Sequence, residues 1–127
     1  MKIVIDTSIL IDHLRGGNVW NNLSDRVEEA NIELFIPTIV IFELYSGKSS
    51  KSPLMKEKIE KAISKFYRID LTEEIARKAG EIYRDFSPNI QIPDYIIAAS
   101  ALDIGAEVVT LNNKHFAQIP GLSLYKI

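Results

Sequence analysis

Three acidic residues stand where an apolar segment meets a loop or a helix start: Asp6 after Lys2-Ile3-Val4-Ile5, Glu43 within IPTIVIFELYSG, and Asp94 at the opening of PDYIIAASAL. Carboxylates brought together repel one another and hold protons at neutral pH unless a cation neutralises them. A divalent metal would satisfy all three, and hard ions such as magnesium and manganese take oxygen ligands. Glu43 makes the case most sharply, because among Ile39, Val40, Ile41, Phe42 and Leu44 a glutamate is costly to bury without a partner. Asp6 and Asp94 would also suit helix N-caps, where aspartate is preferred. The set of three, rather than any one acid, therefore points to a site.

Such a site needs a scaffold that brings positions 6, 43 and 94 together. The run Lys2-Ile3-Val4-Ile5 is short and rich in β-branched residues, and it reads as a buried strand ending at Asp6. In open α/β folds ligands bind outside the carboxyl ends of parallel strands, so an acid there is placed for chemistry. Ser8 can cap a helix with Ile9, Leu10, Ile11 and Leu14 running to the Gly16-Gly17 break. Asn18 starts a second helix whose stripe is Val19, Trp20, Leu23, Val27 and Ala30. Residues 34–36 predict a second strand stopped by Pro37, and Thr38 a cap for the helix that carries Glu43 to near Gly47.

Further along, Ser52-Pro53 is a cap and first-turn proline for a helix that sets Met55, Ile59, Ala62, Ile63 and Phe66 inward and its lysines outward. Residues 67–71 predict a third strand. Thr72, with Glu73 and Glu74, begins a helix with Ile75, Ala76, Ala79, Ile82, Tyr83 and Phe86 on one face, ended by Ser87-Pro88. Asp94 caps an apolar helix that finishes at Gly105, residues 107–111 form the next strand, and residues 122–125 a last one. Strands alternating with helices imply right-handed crossovers and a mainly parallel sheet with helices on both faces.

The chain has 127 residues, 46% hydrophobic and 25% charged, which suits one globular domain over residues 1–127. The absence of cysteine excludes disulfides, thiolate zinc sites and cysteine nucleophiles, and it suits a reducing compartment. A strand follows Met1-Lys2 directly, without the features of a signal peptide, and no apolar run approaches the roughly 18 residues that span a bilayer. The expected setting is cytoplasmic, with no membrane. A formal charge of −2 argues weakly against nucleic-acid partners, yet the charge is unevenly spread. Between Ser46 and Arg68 seven basic residues face Glu57 and Glu60, a local +5 that leaves −7 elsewhere. Lys48, Lys51 and Lys56 in this stretch are candidate contacts to nucleic-acid phosphates.

In order and spacing, DTSILIDHLRG, TIVIFELYSG, PDYIIAASAL, VVTLNNKHF and the ending PGLSLYKI resemble the PIN-domain nucleases, in particular the VapC-like toxins of toxin–antitoxin pairs, nearly end to end. The resemblance implies a three-layer α/β/α sandwich with a mainly parallel sheet, metal-dependent endonucleolytic cleavage of RNA, and as partners a second copy of the chain (a homodimer) and a small antitoxin. It makes Asp6, Glu43 and Asp94 the catalytic and metal-binding acids, with Mg2+ or Mn2+ as cofactor. It puts Asn112 in the family's fourth position, where aspartate or asparagine occurs, and makes Ser8 and Thr110 hydroxyls that hydrogen-bond around the site. Where some relatives carry an acid immediately before the Phe, this chain has His115, which leaves three negative charges to hold metal.

The chemistry suits these residue types, since a divalent ion acidifies water for attack on phosphorus and stabilises charge on the phosphate oxygens. Three rivals fit less well. A receiver-type phosphorylation domain needs paired acids after its first strand, where this chain has Asp6-Thr7. A phosphatase with an aspartate nucleophile wants an acid two residues after Asp6, where Ser8 stands. A non-catalytic interaction module of the same fold has no use for all three acids. Asp12 and Asp103 read as solvated surface, His13 and His115 as exposed or core-edge imidazoles, and Trp20, Tyr45, Tyr67 and Tyr95 as core or interface.

Overall fold

Ile3, Val4 and Ile5 have no exposed surface, so the first strand, β1 (Lys2–Ile5), is covered on both faces, as its unbroken apolar run requires. The computed structural model describes residues 1–86 and 89–127. β1 pairs in parallel with β2 (Glu33–Pro37) on one side and β4 (Glu107–Val109) on the other, and β3 (Tyr67–Ile69) extends the β2 edge. The order is thus β3-β2-β1-β4. It differs from the 2-1-3-4-5 order of flavodoxin-like domains that a receiver would need. The chain moves outward from β1 through β2 to β3 and then returns to the far side of β1 for β4. The order therefore reverses between β1 and β4, and in open α/β sheets the crevice at the carboxyl ends of such a pair is where ligands bind.

The connections are helical: α1 (Thr7–Leu14) and α2 (Val19–Ala30) after β1, α3 (Thr38–Ser46), a 3-10 turn (Lys48–Lys51) and α4 (Pro53–Ile63) after β2, α5 (Glu73–Phe86) and α6 (Ile92–Ile104) after β3, and the short α7 (Asn113–Phe116) after β4. Together they make the three-layer α/β/α arrangement. α6 is apolar nearly all round and its Ile97, Ala98, Ala99 and Ala101 are fully buried, the environment such a helix demands. Small alanines let it lie close to the sheet. Its end is set by Gly105 at φ +67, a left-handed conformation that glycine adopts without strain. The α1–α2 turn is closed by Asp12, whose carboxylate accepts from the Val19 N–H at 3.4 Å, and a side chain at Gly17 would collide with that carboxylate.

Two caps follow the sequence reading: Ser52 Oγ accepts from the Met55 N–H at 3.0 Å and Thr72 Oγ1 from the Ile75 N–H at 3.2 Å. Other expectations are corrected. Pro37 does not stop β2 before itself but is its last residue, paired with Ile69, where no further ladder donor is needed. Thr38 is the first residue of α3 rather than its cap, and Ser8 lies inside the first turn of α1. Residues 122–125 form no strand; their pairing with β4 is confined to a bridge between Val108 and Leu124, with Val108 N–H to Ser123 O at 2.9 Å and Tyr125 N–H to Val108 O at 2.8 Å. Only half of the expected α5 stripe is buried, since Ile75, Ala79 and Ile82 turn inward while Tyr83 and Phe86 are more than half exposed. The expected stop at Ser87-Pro88 lies outside the described residues.

Candidate active site

Asp6 follows the last residue of β1, at the carboxyl end of the central strand and beside the end of β4. Its backbone N–H continues the β1–β4 ladder by donating to Val109 O at 3.0 Å. Asp6 occupies the N-cap position of α1 in an extended conformation, yet its side chain makes no cap hydrogen bond. Both Ser8 Oγ (2.6 Å) and Thr110 Oγ1 (2.7 Å) donate to its Oδ2 instead. The carboxylate is only 2% exposed, so these hydroxyls take the place of the water it has lost. No buried side-chain oxygen among the described residues lacks a partner, and no described hydrogen bond runs to Asp6 Oδ1. That second oxygen therefore keeps its access to the adjoining cavity.

The same hydroxyls tie down the turn after β4. Ser8 Oγ accepts from the Leu111 N–H at 3.0 Å and Thr110 Oγ1 from the Asn112 N–H at 2.9 Å. Asn112 precedes α7 without capping it through its side chain, and it lines the cavity. The cavity has a volume of about 470 Å3, and Asp6, Glu43 and Asp94 all line it. Positions far apart in the sequence are thus brought to one place by the end of β1, the middle of α3 and the first turn of α6.

Glu43 is half-buried, and Thr7 Oγ1 donates to its Oε1 at 2.6 Å. Burial raises its pKa, the Thr7 hydrogen bond opposes that, and the Asp6 charge raises it further. Asp94 is not the cap of α6 as expected but its third residue, with Gln91 at the cap position and the Gln91 N–H donating to Asp94 Oδ2 at 3.4 Å. Its pKa is pushed up to about 6, by burial first and then by the Asp6 charge, with the Gln91 hydrogen bond opposing, the Glu43 charge raising it and His115 lowering it. Each shift has the cause expected of carboxylates that share a partly desolvated space without a cation. The ion pairs among the described residues, Arg77–Glu73 and Arg84–Asp85, lie elsewhere on α5.

Among the described residues no group of three or more His, Cys, Asp and Glu side chains stands close enough to form a ready-made metal cage. The donor set nonetheless fits a hard divalent ion. Its donors are oxygens, Asp6 is anchored by one oxygen and open at the other, and the cavity has room for the several waters that magnesium keeps when it touches only one or two carboxylates.

Of the residues expected from sequence, Asp6, Ser8, Glu43, Asp94 and Asn112 line this cavity, and Thr110 supports it from beneath. Lys48, Lys51 and Lys56 are exposed on the 3-10 turn and the start of α4 and are not among its lining residues. Sequence reasoning passed over Thr7, although two consecutive hydroxyl residues after Asp6 were a signal, and set aside His115, which is exposed but faces the cavity. Gln91 and Ile90, in the segment leading into α6, complete the wall opposite α1.

Compared with known proteins, residues 3–122 match the family model described as PIN domain. Ribonuclease VapC19 of Mycobacterium tuberculosis is 33% identical over 129 aligned residues, covering 96% of this chain and 97% of the relative. Among solved structures, VapBC2 from Rickettsia felis bound to a DNA fragment from its promoter superposes with a TM-score of 0.83 at 28% identity, covering 98% of both chains. A toxin–antitoxin complex from Klebsiella pneumoniae superposes with a TM-score of 0.75, also at 28% identity, over 98% of this chain and 99% of that one.

Proposed function

This chain belongs to the PIN-domain family, and from that premise we propose that it is an endoribonuclease that depends on magnesium or manganese and serves as the toxin of a toxin–antitoxin pair. The observation that carries the reading is the meeting of Asp6, Glu43 and Asp94 in one cavity at the β1–β4 switch point. The proposal assigns the metal to Asp6, Glu43 and Asp94, with Asn112 offering a neutral carbonyl oxygen. When bound, such an ion supplies an acidified water and stabilises charge on the phosphate oxygens. Ser8 and Thr110 hold Asp6 in place and Thr7 holds Glu43, so two of the three acids keep fixed oxygens toward the cavity. The nuclease domain covers residues 1–127. The named relative is a ribonuclease and the two structural neighbours are a VapBC complex and a toxin–antitoxin complex, which supports RNA as substrate and a cognate antitoxin as partner.

The test is direct: purified protein with magnesium or manganese should cut RNA at discrete positions and stop when a chelator is added. RNA left intact with both metals would sink the reading. A cytoplasmic setting belongs to the same proposal; among the described residues no helix is long and apolar enough to cross a membrane.

Asn112 provides a graded check on the metal assignment. It brings an oxygen without charge, so Asn112→Asp should tighten manganese binding at least about tenfold, because affinity for hard cations follows the number of charged oxygen ligands. Calorimetric titration reads this directly, and equal affinities would remove Asn112 from the metal shell.

The proposal also includes a homodimer. α5 and α6 leave an apolar groove in which Leu71, Tyr83 and Ile92 are 48%, 57% and 69% exposed, a face suited to a second copy. Sedimentation should give twice the chain mass at micromolar concentration, and Tyr83→Glu should shift it towards one chain. A wild-type monomer under those conditions would reject the dimer.

A further inference from the structure

The face of α1 that starts at the candidate site does not end there. Thr7, Ser8 and Ile11 line the acidic cavity; Ile11, Leu14 and Arg15 line a second cavity of about 150 Å3; Leu14 then lines a third of about 440 Å3. These residues recur at three- and four-residue intervals, so they form one stripe along the helix. Ile11 and Glu43 are shared by the first two cavities and Leu14 by the last two, so the three adjoin one another in a row. The far wall of the third cavity is α4, from which Lys58 and Lys61 line it, joined by Lys65 in the turn just past its end, with Asn21 and Ser24 of α2 also lining it. No carboxylate lines this third cavity, and neither Arg15 nor any of the three lysines belongs to an ion pair among the described residues. The adjoining cavities thus succeed one another along α1 from the acids, past Arg15, to a row of cations that no described ion pair neutralises.

We propose that this groove is a track for single-stranded RNA, in which Lys58, Lys61 and Lys65 bind backbone phosphates several nucleotides from the bond that is cut. The inference rests on the ribonuclease reading and adds to it a substrate-binding surface. It also moves the relevant part of the +5 segment from Lys48, Lys51 and Lys56 to the second half of α4 and the turn after it. Phosphates suit the row better than a protein helix does, because the cations are spaced along a groove that opens onto the acids. A backbone leaving the cut site would follow that course.

Binding is measured without cleavage, in chelator, with fluorescent oligouridylates of about four and about sixteen nucleotides, lengths that bracket the sites single-stranded nucleic acids occupy. The combined Lys58→Glu, Lys61→Glu and Lys65→Glu variant should weaken the longer RNA about tenfold or more, flatten the salt slope by about 2, and leave the shorter one unchanged. Lys48→Glu, Lys51→Glu and Lys56→Glu together should have the smaller effect. The three Lys→Gln changes, with a melting curve for each variant, guard against misfolding and should weaken the longer RNA in the same direction. Unchanged affinity and salt slope in a folded variant would overturn the track. So would intact RNA binding with lost binding of a glutamate-rich helical peptide, which would make the row a site for an acidic protein segment. Metal-dependent cleavage by the wild type is assayed separately, so failure of the nuclease reading is told apart from failure of the track.

Discussion

Asp94→Asn will cleave RNA about a thousandfold more slowly than the wild type, or not measurably, while melting no lower in chelator. The two halves have one cause. Asp94 is held in a partly desolvated space against the charges of Asp6 and Glu43, so removing its charge relieves repulsion in the metal-free protein. The amide oxygen of asparagine can still accept from Gln91. The loss of a ligand charge costs about 4 kcal/mol of transition-state stabilisation where an ion must neutralise a phosphate, which is the thousandfold expected. Asp6→Asn and Glu43→Gln should behave alike, because Ser8, Thr110 and Thr7 keep oxygen partners in both variants. Ser8→Ala and Thr110→Val reach the metal only through Asp6, so their loss should be about 10- to 100-fold. RNA cleavage followed with fresh, nuclease-free preparations decides the matter. Wild-type turnover in any of the three acid variants would remove that residue from the site.

The second large effect is a reversal of pH dependence by metal. Asp94 has its pKa pushed up to about 6 from an ordinary value of 3.8, and Glu43 is raised as well. Between these limits the folded chain holds a proton that the unfolded chain has lost, so these groups favour folding at low pH and oppose it as pH rises through 6. An ion binds only the ionised carboxylates. Its apparent affinity should therefore fall about tenfold for each pH unit below 6, where one proton must be displaced. The rise in Tm produced by a fixed manganese concentration should be small at pH 5 and large at pH 7.5, since ligand stabilisation follows the ratio of concentration to Kd. Equal Tm shifts at the two pH values would show that the ion does not engage Asp94.

Much of this was legible in the chain because it is local. A short β-branched run followed by an aspartate announces a buried strand and its exit, and Ser52-Pro53 and Thr72 announce helix starts whose bonds are made within three residues. Asp6 and Asp94 were placed at helix starts correctly, but not what their side chains do there. Asp6 takes two hydroxyls in place of the helix N–H groups, and one of them, Thr110, arrives from the residue just after β4, 104 residues away. Thr7 was missed for the same reason, its partner being 36 residues away. A charge count cannot tell one face of α4 from another, so it singled out Lys48, Lys51 and Lys56, whereas only the packing of α1, α2 and α4 sets Lys58, Lys61 and Lys65 along a groove. The strand expected at residues 122–125 fell to a bridge whose two hydrogen bonds to β4 both meet Val108, a long-range pairing that the local apolar pattern does not register.

The bond from Thr110 to Asp6 also bears on when, during synthesis, the site can assemble. β1 is made well before its β4 neighbour, the hydroxyl that anchors Asp6 and the turn that presents Asn112. A sheet dominated by distant pairings closes late. During translation the chain therefore passes through most of its length with its acids unassembled, and a product cut short before β4 carries Asp6, Glu43 and Asp94 but neither the strand that pairs with β1 nor the hydroxyl that anchors Asp6. The acids come into register only once β4 has docked beside β1 and Thr110 has reached Asp6.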